Sequence, residues 1–470
     1  MCASRRRGRP LLAALAICVA GCAASLPSAR TLQTKAEGPA PAARQVVAKM
    51  DVTGPRGRLD HDQRARLVER IGREGAGSPL KRQLAAMAEF GDVDLYAGNA
   101  ARLLIDGPAT FDAMFGAIAR ARSSILLESY IIDDAKIAQD LAALLVRKRA
   151  EGVSVALIHD AVGSIGTSGD YFEVLRAAGV AVCEFNPLSP LRKRRYQDIT
   201  HRDHRKILVV DREIAYTGGI NVSAVYSSGS FGRKSRAPEQ NGWRDTQIEL
   251  RGPAAAALDE LVRDTWRNQR CEPALPPPVE QAAGKAAGPH AVRIVPSSPD
   301  DGQNRIYTLL LTAIDAASRS VHLTMAYFAP GQDMVDALAD AARRGVDVQL
   351  VLPSVSDFSP VLHAGRSYYQ ELLDAGVRIH ELQDAVLHSK TAVIDGVLST
   401  VGSSNMDWRS FVANNEVNAV VFGEDFGDAM TRMFERDVAA SQTIDAQTWR
   451  RRPLWPRLQE RAARLLERWW

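Results

Sequence analysis

Four polar residue types recur in this chain at fixed offsets. His204 is followed by Lys206 two positions on, Asp211 seven on and Asn221 seventeen on. His388 is followed by Lys390, Asp395 and Asn405 at the same three offsets, 184 positions later. A lone His-x-Lys on a strand is ordinary surface decoration; the same skeleton twice, each time running into an apolar stretch (Ile207-Leu208-Val209-Val210 and Thr391-Ala392-Val393-Ile394), is not. The residue types suit an oxyanion such as phosphate: lysine supplies charge, the Asn221 and Asn405 carboxamides supply N–H donors, and histidine supplies a nucleophile or a proton. With one histidine from each copy, two imidazoles can flank one phosphorus. One attacks to give a phosphohistidine; the other protonates the leaving alkoxide and then deprotonates the incoming hydroxyl. The scheme calls for no cofactor and no metal, and the sequence offers no carboxylate cluster with metal-ligand spacing.

Each imidazole needs a partner on its other nitrogen to fix tautomer and ring orientation. Asp245 and Glu416 are the candidates, each standing seven residues before a glycine, Gly252 and Gly423. His204 to Asp245 spans 41 positions and His388 to Glu416 spans 28, which places a 13-residue insertion at about Ser227–Gln240, expected as a loop at the site's edge. Asp211 and Asp395 belong to the catalytic set as members of the motif. Carboxylates that end a β-run are also common turn residues, so a purely structural role stays open for both.

Strands are the elements that can hold this set. Residues two apart on a strand face the same side, so His204 projects with Lys206 and His388 with Lys390. The apolar and helical periodicities predict strands over 94–104, 124–130, 153–160 and 181–185, with helices over 109–121, 137–151 and 170–178. The second half repeats this plan: helix 304–317, strand 320–327, helix 332–344, strand 346–351, helix 367–375 and strand 377–381. Tyr130 and Tyr327 end corresponding strands, and Gly152 and Gly345 open corresponding ones. The fold class expected is α/β, with two pseudo-symmetric domains. Each is a mixed, largely parallel β-sheet flanked by helices, and one site lies at their interface.

The remaining segments divide as follows. Residues 1–21 read as a signal peptide, 22–90 as a tether with short helices near 63–73 and 79–90, 91–271 as the first domain, 272–292 as a Pro-rich linker, 293–446 as the second domain and 447–470 as an amphipathic helix. The junction Val19-Ala20-Gly21-Cys22 resembles a bacterial lipobox, which implies cleavage before Cys22 and acylation of that residue. Ala23, rather than Asp, then points to the outer membrane in preference to the inner, with the protein facing the periplasm. Of the two cysteines in the body, Cys183 and Cys271, the expectation is separate thiols, although an oxidising compartment would permit a bridge.

Net charge is +4, and Arg5, Arg6, Arg7 and Arg9 of the leader account for all of it. A neutral body argues against gripping a polyanion, so no nucleic acid is expected as partner. The basic run Leu191-Arg192-Lys193-Arg194-Arg195-Tyr196 suits anionic headgroups or a solvated loop. The last 22 residues hold seven Arg and four Trp, with an apolar stripe at Leu454, Leu458, Ala462 and Leu465. That pattern fits a helix lying on a membrane surface or one packed on the second domain.

The twin His-x-Lys-x4-Asp, with Thr217-Gly218-Gly219-Ile220-Asn221, Trp243-Arg244-Asp245-Thr246 and Val401-Gly402-Ser403-Ser404-Asn405-Met406-Asp407, resembles the phospholipase D superfamily, and within it the bacterial cardiolipin synthases. The resemblance covers about residues 95–440. It implies a duplicated fold with both motifs meeting at the domain interface, phospholipid substrates, a membrane surface as working partner, and phosphatidyl transfer through a phosphohistidine. The expected product is cardiolipin, made from phosphatidylglycerol and a second phospholipid, with His204 as nucleophile and His388 as general acid/base. A phospholipase D using water as acceptor is the alternative. A metal-independent nuclease and a non-enzymatic lipoprotein are weaker readings.

Overall fold

The computed structural model of the protein describes residues 50–71, 79–89, 93–188, 200–230, 241–278, 286–301 and 304–468. The expected leader with Cys22, the basic run 191–196 and residues 231–240 of the insertion lie outside these residues.

The α/β plan is present in both halves. In the first, the strands Ser124–Ser129, Ser154–Asp160 and Ala181–Phe185 run parallel, joined by the helices Lys136–Ala150 and Gly169–Ala177. In the second, Ser320–Met325, Asp347–Pro353 and Arg378–Leu382 do the same. Parallel pairing stops there. On the other side of Ser124–Ser129 the motif strand Lys206–Val210 pairs antiparallel, followed by Ile214–Gly218, Thr246–Arg251 and part of Val93–Ile105. Lys390–Ile394, Leu398–Gly402, Asn414–Phe422 and His290–Ser297 match them in the second half. The sheets are therefore mixed, with antiparallel pairings outnumbering the expected parallel ones. The reason is local. A crossover helix enforces a parallel return, whereas each motif strand turns back at once through a tight turn entered by an aspartate with positive φ, 52° at Asp211 and 55° at Asp395.

Those turns give both aspartates structural work. The Asp211 carboxylate accepts the backbone amides of Arg122, Ser123 and Ser124 at 2.7–2.9 Å. Asp395 accepts those of Ser318, Arg319 and Ser320 at 2.6–3.1 Å. Each ties its turn to the start of the neighbouring strand. Each motif strand, Lys206–Val210 or Lys390–Ile394, separates its aspartate from its motif histidine, a span of about 20 Å at strand rise.

The strand Val93–Ile105 couples the halves. Its far end pairs with Thr246–Arg251, while its near end pairs with Met50–Gly54 and His290–Ser297, making one continuous sheet. Between the halves lies a core of Ile207, Val209, Ile248, Leu258, Val262 and Trp266 against Val401, Val417, Val421, Met430 and Met433. Burying such side chains stabilises by roughly 1.5–3 kcal/mol each.

Three further expectations change. The segment expected as tether is docked from Met50 onward: Leu67, Val68, Leu80 and Leu84 pack with Leu309, Leu310 and Ile314 of the second half, and Gln83 Nε2 donates to the Ala313 carbonyl at 3.0 Å. Few large apolar residues sufficed because the second half supplies the rest of that core. Cys183 and Cys271 form a disulfide instead of separate thiols, with Cα atoms 5.6 Å apart. The helix Pro253–Asn268 folds back over its sheet and brings residues 88 apart in sequence together. The C-terminal segment is two helices, Ala446–Arg450 and Leu454–Leu465, broken by Pro453. Among the described residues no helix is long and apolar enough to cross a membrane.

Candidate active site

Lys206 and Lys390 open the two motif strands, and His204 and His388 stand two residues before them, at the edge where the halves meet. Both histidines are stitched across that edge by backbone. The His204 amide donates to the Asn415 carbonyl at 3.0 Å, beside a parallel pairing of Asn414–Asn415 with Arg202–Asp203. The His388 amide donates to the Arg244 carbonyl at 2.8 Å, beside a bridge between Arg244 and Leu387. The residues next in line are Glu416 and Asp245. Their carboxylates take the imidazoles of the opposite half: His204 Nδ1 lies 3.0 Å from Glu416 Oε1, and His388 Nδ1 lies 2.7 Å from Asp245 Oδ2. With Nδ1 engaged in both rings, Nε2 is the nitrogen left for chemistry.

The glycine-rich turns make room for this. A Cβ on Gly219 would sit 2.1 Å from Asp245 Oδ1, so only glycine lets the carboxylate approach. In the second half Ser403 occupies the equivalent place, and its hydroxyl donates to Glu416 Oε2 at 2.5 Å. Asn221 Oδ1 accepts the Ile131 amide at 3.1 Å, and the Asn405 backbone amide donates to Ser410 Oγ at 3.2 Å. Both carboxamides are buried at the site, and Asn405 Oδ1 has no hydrogen-bond partner among the described residues.

Each lysine donates to the carbonyl of the histidine two residues before it. Burial lowers Lys206 to about 7 and Lys390 to about 8, against the raising pull of Glu416 and Asp245. Burial also pushes Glu416 up to about 7. Desolvation and then the lysines hold His204 well below the usual imidazole range, and desolvation with Lys390 lowers His388. In each case burial disfavours the charged form, so an anion brought into this cluster would favour charged lysines and imidazoles.

Several site residues were not singled out by the motif. Tyr130 stands edge-on to His204, ring centres 5.0 Å apart, and Tyr327 edge-on to His388 at 6.4 Å. The repeat marks these two tyrosines as equivalent without assigning them work. Tyr226 OH lies 2.9 Å from His388 Nδ1, and the Trp243 ring centre is 5.2 Å from that of His388. Tyr226 has no counterpart in the other half, where Ser410 stands at the matching offset, so internal comparison is blind to it. Arg244, buried, forms a bidentate pair with Asp437 at 2.7 and 2.8 Å across the halves and fixes the strand that carries Asp245.

A family model described as "Cardiolipin synthase, PLD-like domain" matches residues 114–229 and 310–438, covering both motif strands. Cardiolipin synthase 2 of Bacillus anthracis is 36% identical over 370 residues, which is 78% of this chain and 70% of that protein. Cardiolipin synthase A of Pseudomonas aeruginosa (strain LESB58) is 37% identical over 360 residues, 76% of this chain and 71% of that protein. Among solved structures, the phosphatidylserine synthase of Haemophilus influenzae Rd KW20 superposes with a TM-score of 0.56 at 12% identity, covering 78% of this chain and 95% of that one, a likeness of fold. The paired motifs, the duplicated fold and the extent of these matches together place the chain in the cardiolipin synthase family of phospholipase D-like proteins.

Proposed function

We propose that this enzyme makes cardiolipin by phosphatidyl transfer, with His204 and His388 acting on one phosphorus from opposite sides. The observation that carries the reading is the crossed pairing: each half supplies the carboxylate that aims the other half's imidazole, so the two motifs form one site. His204 Nε2 attacks the phosphorus of phosphatidylglycerol. The bond to the glycerol oxygen breaks, and His388 donates the proton that oxygen needs. The phosphatidyl group then rests on His204. His388, now neutral, takes a proton from the primary hydroxyl of a second phosphatidylglycerol, whose oxygen displaces His204 and forms cardiolipin. Lys206, Lys390, Asn221 and Asn405 hold the non-bridging oxygens. The negative charge of the seated phosphodiester raises both lysines and His388, which lets His388 carry the proton it must give.

The protein is associated with the membrane, as its phospholipid substrates require. We assign its place to the periplasmic side of the bacterial envelope, anchored through acylated Cys22 and preferentially at the outer membrane. A disulfide between Cys183 and Cys271 supports folding in an oxidising compartment. The test is purified protein with labelled phosphatidylglycerol, alone and with phosphatidylethanolamine, products resolved by chromatography. Cardiolipin with released glycerol is the expected result. Phosphatidic acid as sole product would replace the acceptor with water and overturn the synthase reading.

A further inference from the structure

A helix on the surface of a globular protein normally turns its apolar face inward. Leu454–Leu465 does the opposite. Its inward contacts are polar or small: buried Glu460 pairs with Arg452 at 2.6 and 3.0 Å, Arg464 lies 4.0 Å from the Tyr368 ring centre, and Ala463 packs beside Tyr327, Val361 and Ala364. Just beyond the helix, Glu467 accepts the Tyr368 hydroxyl at 2.7 Å. Outward stand Leu454 (73% exposed), Trp455 (69%), Leu458 (55%), Leu465 (82%) and Leu466 (50%). Arg451, Arg461 and Arg468 are exposed between and beside them, while both acids of the segment, Glu460 and Glu467, are turned to the protein. The outward face therefore offers apolar surface and positive charge together, the combination that fits a bilayer with anionic headgroups.

The helix lies close to the site. Ala463 shares a cluster with Tyr327, the tyrosine that stands edge-on to His388. Two other exposed large apolar residues lie on equivalent loops flanking the same site. Phe358 follows Asp357, whose carboxylate accepts the Tyr327 hydroxyl at 2.9 Å. Ile165 follows Ser164, whose hydroxyl donates to the carbonyl of Tyr130, the tyrosine at His204.

We propose that the outward face of the Leu454–Leu465 helix, with Ile165 and Phe358 on those two loops, docks onto an anionic lipid bilayer and seats the site between the halves at the headgroup layer. The purpose of this docking rests on the phosphatidyl-transfer reading; the binding itself does not. An acyl anchor at Cys22 would keep the protein near a membrane without orienting it, and this face supplies the orientation.

The test uses the full chain carrying Cys22→Ser, so that acylation does not contribute, and vesicles of phosphatidylglycerol mixed with phosphatidylcholine. The combined Leu454→Ser, Leu458→Ser and Leu465→Ser variant should keep its melting temperature, because these side chains are exposed, and lose about a hundredfold in vesicle partition. Ile165→Ser with Phe358→Ser should lose about tenfold. His204→Ala should bind vesicles like the parent, so a failed catalytic scheme would leave this result intact. Undiminished partition of the triple variant overturns the proposal. Equal partition into pure phosphatidylcholine vesicles overturns its anionic part. A parent that sediments as a dimer, and a triple variant that sediments as a monomer, would instead assign the face to a second copy of this chain.

Discussion

The two halves share a skeleton and differ in what surrounds it. In the first half the motif strand lies in a bed of buried charge: Asp203 and Glu128 face Arg205, and Arg202 lies 3.6 Å from Asp160. Burial, and then the neighbouring Glu128, push Asp203 well up, and burial raises Glu128 against the lowering pull of Arg205. At the matching positions the second half has Leu387, Ser389 and Val386, and Thr324 stands where Glu128 does. The histidines differ too. Among the described residues His204 Nδ1 meets Glu416 alone, whereas His388 Nδ1 is approached by Asp245, by Tyr226 OH and by Lys390 Nζ at 2.9 Å. Duplication supplies the geometry for two imidazoles at one site. In the transfer scheme proposed above, the divergence around that geometry is what would suit one imidazole to bond to phosphorus and the other to carry protons.

The sharpest break of this comparison is at the histidines themselves. Removing either imidazole should cost about 10⁴-fold or more in transfer. With a phosphodiester carrying a good leaving group, which needs no proton, His388→Ala should still accumulate a phosphorylated His204, detected by mass spectrometry. An adduct on His388 in the reciprocal variant His204→Ala would reverse the roles. Next come the carboxylates, at about 10³–10⁴-fold. Because the pairing is crossed, Asp245→Asn should behave like His388→Ala, recovering with the good leaving group, and Glu416→Gln should not recover. The opposite pattern would break the crossing.

Arg244→Ala addresses the seam. It leaves Asp437 buried and unpaired in the core between the halves, so stability should fall by about 3–5 kcal/mol, read by chemical denaturation. Arg244→Lys should rescue little, since both guanidinium branches are engaged. The smallest effect is on pH. Desolvation lowers Lys206 to about 7 and Lys390 to about 8, and a phosphate seated beside them would raise both. Between the free and bound values the complex holds more protons than the free protein. Phosphate affinity should therefore fall as pH rises through this window, by up to about tenfold per unit for each lysine, with proton uptake visible in calorimetry across buffers. Lys206→Met should flatten the lower part of the profile.

Much of this was legible in the sequence because a repeat is its own control. The offsets from His204 to Asn221 and from His388 to Asn405 picked out the residues proposed to hold phosphate, and the shared spacing to Gly252 and Gly423 picked out Asp245 and Glu416. Which imidazole each carboxylate serves was not legible. Sequence order sets Glu416 with His388, and only the backbone seam at Asn415 and Arg244 shows that each carboxylate crosses over. Asp211 and Asp395 carried the motif's signal for a different reason: the turn needs them as much as a site would. Tyr226 was invisible because it breaks the repeat. The packing of Leu67, Val68, Leu80 and Leu84 was invisible because their partners Leu309, Leu310 and Ile314 lie more than 200 positions away, as Ala313 does from Gln83. The disulfide was missed because pairing depends on where a helix end lands.

The crossed seam has a consequence for how small this enzyme can be made. Either half cut away with its own motif would keep a histidine and a lysine but lose the carboxylate that aims the ring. The wiring is the one a twofold pair of identical subunits would produce, each lending its acid to its neighbour. Joined in one chain, the two copies no longer have to be identical, and the buried charges on one side and the leucine on the other are what that freedom has allowed.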